Sequence, residues 1–110
     1  MGEWYLFDGG RSIGQRGSEG DSILRDEEHP DGSRITLEGG GKSFSITCGI
    51  YGWMVHTRFF SDETEAQNAF DEMKAGLVNI LNIIPLEGES ADAKMEAVTD
   101  ALTDFIERFP

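Results

Sequence analysis

The period of the apolar positions changes once along this chain. Up to Phe60 they come in short runs of β-favouring residues broken by glycine, and from Asp62 onward they recur every three or four residues to the end. Strands followed by helices predict an α+β fold. The expected form is an antiparallel β-meander of about four to six strands over residues 3–60, followed by two amphipathic helices over about 62–84 and 90–109, packed on one sheet face. Residues 1–110 are expected to form a single domain, since a chain of this length builds one core.

Within the strand half, "EWYLFD" opens as a strand and "GGRSIGQRGSEGD" follows as a Gly-rich connection that holds a short strand around Ile13. "SILRDEE" then meets "SRITLE" across His29-Pro30-Asp31-Gly32, where proline presets the first turn dihedral and glycine takes φ > 0. "GGGK", Gly39 to Lys42, turns the chain into "KSFSITCGIYGWMVHTRFF". As one strand, Ser43 to Phe60 would span about 60 Å, against a radius of gyration of ~13 Å for a chain this long. It has to turn. A two-residue turn at Tyr51-Gly52 pairs Ile50 with Trp53, Cys48 with Val55, Ile46 with Thr57 and Phe44 with Phe59 on one face. A bulge or a wider turn including Gly49 is the variant, because Tyr51 suits a primed turn poorly. Met54, His56, Arg58 and Phe60 then face the other way, beside Ser45, Thr47 and Gly49.

In the helical half, Asp62 and Glu65 make a capping box, and Pro85 stops a stripe of Ala66, Ala69, Phe70, Met73, Leu77, Ile80, Leu81 and Ile84. "LEGES" is a linker whose Ser90 caps the last helix. There Ala91, Met95, Val98, Leu102, Phe105 and Phe109 form a second stripe.

Charge narrows the functional classes. Twenty-one acids against nine bases give −12, which repels phosphate backbones and anionic membrane faces. Neither nucleic acid nor membrane is an expected partner. No run approaches 18 apolar residues, and the start lacks a secretory pattern. Gly2 opens the myristoylation pattern, but Leu6 breaks it. The lone Cys48 forms no internal disulfide and fits a reducing compartment, so the expected location is cytoplasmic.

Candidate chemistry is sparse. "GGGKS" fails as a phosphate loop, since Thr36 stands where glycine is needed and a strand follows. "GGRSIGQRGSEGD", with Arg11 and Arg16, offers backbone amides to an anion only weakly. Cys48 and His56 invite a nucleophile–base pair, but the expected register sets them on opposite faces. No His or Cys pair has metal-ligand spacing, so no metal and no cofactor is expected. Asp26, Glu27 and Glu28 read as solvated, or as an edge guarded by charge.

The best candidates are binding residues on an open sheet face: His56, Arg58, Met54 and Phe60, with Arg34 and Tyr51, because Arg and aromatics concentrate binding energy. The leading expectation is a small acidic cytoplasmic protein-binding module, non-catalytic, monomeric or homodimeric, inhibitor- or immunity-like against a basic partner. Two alternatives stand beside it: a small enzyme or ligand-binding domain with a pocket near Tyr51, Trp53, His56 and Arg58, and a structural homodimer through the C-terminal helix.

Overall fold

The computed structural model describes residues 3–84 and 92–110. Among them, five strands form one antiparallel meander: β1 (Tyr5–Leu6), β2 (Ile23–His29), β3 (Ser33–Gly39), β4 (Phe44–Ile50) and β5 (Met54–Phe60), in spatial order β1-β2-β3-β4-β5. Two helices follow, α1 (Glu63–Leu81) and α2 (Asp92–Arg108), and pack on one sheet face. This is the α+β architecture expected from the change of period.

The β2–β3 hairpin turns where the sequence signals it. Gly32 takes φ 112° and its N–H donates to His29 O at 3.0 Å. His29 itself is buried at the end of β2, edge-on to Trp4 at 5.2 Å, and its Nδ1 accepts from the Asp31 N–H. The first strand is shorter than expected. After Leu6 the chain enters a tight 3-10 segment, Phe7–Gly10, in which Asp8 takes φ 51°, and the region around Ile13 forms turns, with Ile13 exposed. Its glycines and polar residues let it bend back over the sheet instead of adding a strand.

The core lies between sheet and helices. Ile35 and Leu37 of β3 and Phe44, Ile46, Cys48 and Ile50 of β4 meet Ala66, Ala69, Phe70, Met73, Leu77, Ile80 and Leu81 of α1. Phe105 and Phe109 close the cluster from α2. The Asp62 carboxylate caps α1 by accepting from Glu65 N–H at 3.2 Å. The regular helix ends at Leu81, three residues before the expected end, and Asn82, Ile83 and Ile84 close it with a last irregular turn. The linker 86–90, with its proposed Ser90 cap, lies outside the described residues, as do Pro85 and Ala91. Val98, Phe105 and Phe109 of the α2 stripe are buried and Leu102 is half-buried, so the described part of that stripe from Val98 onward packs inside the chain.

One expectation is corrected by the β4–β5 register. Tyr51 and Gly52 are the centre of the turn: Trp53 N–H donates to Ile50 O at 2.8 Å and Gly52 takes φ 82°. Beyond it the ladder is displaced by one residue, pairing Ile50 with Met54, Cys48 with His56, Ile46 with Arg58 and Phe44 with Phe60. The cause is Tyr51, which does not take φ > 0, so a primed turn is closed to this sequence. A turn left-handed only at its second centre does not match strand twist, and Trp53 absorbs the difference as an extra loop residue. A slip of one residue inverts a whole strand. Met54, His56, Arg58 and Phe60 therefore turn toward the helices, while Val55, Thr57 and Phe59 take the opposite face.

Candidate functional site

The strand registers define the face away from the helices row by row. Across one row stand Tyr5, Glu28, Arg34, Gly49 and Val55; across the next, Asp26, Thr36, Thr47 and Thr57; across the third, Ile23, Glu38, Ser45 and Phe59. Only part of this face is open. The Gly-rich connection between β1 and β2 folds back on it, so Asp26 is 0 % and Glu38 1 % exposed, and Thr36 and Ser45 are buried with them. Between connection and sheet lies a cleft of about 850 Å³, with Phe7 and Ser12 on one wall, Arg34, Thr36, Glu38 and Thr47 along the floor, and Tyr51 and Trp53 at the mouth.

Buried polar groups need partners, and most of these have them. Arg34 donates twice to Asp26, from Nε at 3.0 Å and Nη2 at 2.7 Å, and Thr36 Oγ1 donates to the same carboxylate at 3.0 Å. That carboxylate holds the Arg34 guanidinium above its ordinary pKa, and the guanidinium lies 3.5 Å from the centre of the Phe7 ring. Glu38 accepts from the Glu19 backbone N–H at 3.0 Å and from Ser18 Oγ at 3.4 Å, anchoring the connection. Gly17 makes that approach possible, since a Cβ there would overlap the Glu38 carboxylate. Beside the mouth Glu28 accepts from Tyr51 Oη at 2.6 Å and Tyr5 Oη at 2.8 Å. These bonds, that from Tyr51 first, lower the Glu28 pKa; loss of hydration and then the bond to Glu28 push the Tyr51 hydroxyl up to about 12. The Ser12 hydroxyl, buried in the cleft wall, has no hydrogen-bond partner.

The six residues expected to form the site are divided by the fold. Arg34 and Tyr51 line the cleft, and Met54 reaches its edge from the turn. His56, Arg58 and Phe60 are on the helix side. There His56 Nε2 is hydrogen-bonded to the Phe109 carbonyl, and the Arg58 guanidinium lies 4.7 Å from the Phe60 ring centre. The pocket expected near Tyr51, Trp53, His56 and Arg58 thus keeps only its first two members. The acids before the turn are not a solvated edge: Asp26 is buried, Glu27 pairs with Arg25 and Lys74 under α1, and Glu28 joins two tyrosines.

Cys48 and His56, expected on opposite faces, are direct cross-strand partners. The thiol is nonetheless suited to no thiolate chemistry, because burial pushes its pKa up to about 12. Among the described residues no group of three or more His, Cys, Asp or Glu is placed to hold a metal, and no helix is long and apolar enough to cross a membrane.

Sequence reasoning missed Phe7, Ser12, Asp26, Thr36 and Glu38 as a unit. One signal was available: β3 alternates Arg34, Thr36 and Glu38 with the apolar Ile35 and Leu37, and a Gly-rich segment long enough to cover that polar row precedes β2. No family model, curated protein or solved structure matches this chain.

Proposed function

We propose that this chain is a small acidic, cytoplasmic, non-catalytic module that binds a basic protein partner at the mouth of the cleft. The observation that carries the reading is the composition of that mouth: exposed Tyr51, half-buried Trp53 and Phe7 and the Asp8 carboxylate, with Glu28 held beside it by the Tyr51 hydroxyl, around a concavity large enough for a side chain of a partner. Aromatic anchors around a pocket concentrate binding energy, and a −12 protein steers a basic partner toward itself. An inhibitor-like role against a basic target suits this chemistry. The lone, buried Cys48 is compatible with a reducing compartment.

The test is capture of a partner at low salt, followed by titration of the purified partner against wild type and Tyr51→Ala. The variant loses the hydrogen bond to Glu28, so it should be destabilised by only about 1 kcal/mol while losing about tenfold in affinity, and association should slow as salt rises. Equal binding by both proteins, or crosslinks that map only to the helices, would remove the reading. A second reading, a small-ligand site, is favoured by the unpartnered Ser12 hydroxyl; a thermal shift with a small polar ligand, abolished in Ser12→Ala, would support it.

A further inference from the structure

The two edges of the sheet are finished differently. On the first, Gly14 N–H donates to Ile23 O and Ile23 N–H to Gln15 O, both at 2.8 Å, and β1 pairs with Glu27 and Glu28, so β2 is bonded along its outer side. β5 is the other edge. Its seven residues keep an unshifted register with β4, and among the described residues no hydrogen bond outside that ladder reaches their backbone. Edge strands are ordinarily blunted by proline, bulges, brevity or inward charges. β5 has no proline and no bulge; the one such device it carries is Arg58, turned to the helix side and lying over the Phe60 ring. On its other face Val55 is 79 % and Phe59 66 % exposed, more than any other large apolar residue described.

We infer that β5 pairs antiparallel with β5 of a second copy across a two-fold axis at Thr57. Thr57 is the midpoint of Met54–Phe60, so this centre alone pairs all seven residues. It sets Val55 against Phe59 of the other copy, twice, covering both exposed apolar side chains with the aliphatic–aromatic cross-strand pair that sheets favour. It also sets Thr57 against Thr57, a second favoured pair. Centres at His56 or Arg58 leave Phe59 or Val55 uncovered. The same register sets His56 opposite Arg58 of the other copy, twice, so the occupant is selected by the covering of Val55 and Phe59 and not by charge; β5 carries no acid, and the acids that attract a basic partner lie elsewhere. One pair of strands buries less than the ~1,200 Å² of a standard interface, so the dimer is weak and concentration-dependent. Two copies at −12 each repel, so salt strengthens it, the opposite of the salt response of binding to a basic partner.

Sedimentation equilibrium across the micromolar range should show the mass rising from 12.2 kDa toward twice that value, further at higher salt. Phe59→Lys should weaken association at least tenfold without moving the unfolding midpoint. Register is read by disulfide formation in air, since opposed residues bring Cα atoms within the bridging range of about 4.4–6.8 Å. Thr57→Cys should link to itself, whereas Val55→Cys and Phe59→Cys should link when mixed and not alone. A monomer at every concentration and salt overturns the inference. So does a dimer that Phe59→Lys leaves intact, or one in which Thr57→Cys stays reduced; these outcomes leave the cleft reading untouched, because Phe59 and Thr57 are outside the cleft.

Discussion

Arg34→Ala should be the most costly single truncation on the cleft side of the sheet. Asp26 is 0 % exposed, and its two oxygens receive three hydrogen bonds, two from Arg34 and one from Thr36. Removing the guanidinium leaves a buried carboxylate with one donor. Breaking a buried ion pair from one side costs about 3–5 kcal/mol. The Arg34 side chain is 35 % exposed, so water can follow it into the gap, which places the loss near the low end, about 3 kcal/mol. Loss of the contact with Phe7 adds ~0.5–1 kcal/mol. Arg34→Lys keeps the charge but cannot span both oxygens and should cost about half as much. The double variant Asp26→Leu/Arg34→Met removes the buried charge together with its partner and should return to within ~1 kcal/mol of wild type. Urea unfolding with a constant m-value reads all three. A loss below ~1 kcal/mol for Arg34→Ala, or a double variant as costly as the sum of its parts, would refute the claim that this pair is buried and mutually dependent.

Met73→Ala should destabilise by about 2–5 kcal/mol and Phe105→Ala by about 3–5 kcal/mol in the same assay, since both side chains are buried between sheet and helices and leave cavities. Thiol reagents should label Cys48 slowly in the native protein and fast in urea; rapid native labelling at neutral pH would contradict its burial. Stability should fall as pH rises from about 9 to about 12. Cys48 and Tyr51 both have folded pKa values raised to about 12, so each stabilises fully below its unfolded pKa and loses that contribution as pH rises through the folded one. Cys48→Ala and Tyr51→Phe should each flatten the alkaline limb of the stability profile, and an unchanged limb in the double variant would count against both shifts.

The sequence by itself determined what depends on local pattern. The change of apolar period set strands before helices, Pro30-Asp31-Gly32 set the first hairpin, Asp62 and Glu65 set the start of α1, and Tyr51-Gly52 set a turn. It also made Phe44, Ile46, Cys48 and Ile50 one buried face. Tertiary structure decided the rest. Whether β5 presents Val55 or His56 to the helices depends on one residue at Trp53, and both faces of that strand carry apolar side chains, so the pattern alone was neutral between two registers of opposite consequence. That the Gly-rich connection folds over the sheet depends on contacts of long range, Glu38 with the Glu19 amide and Arg34 with Phe7, which no window of neighbouring residues contains. For the same reason Asp26, which reads as a surface acid beside two others, is the most buried carboxylate of the three: its partner Arg34 lies eight residues on, across a hairpin, and a charge is kept inside only where the fold brings it a counter-charge.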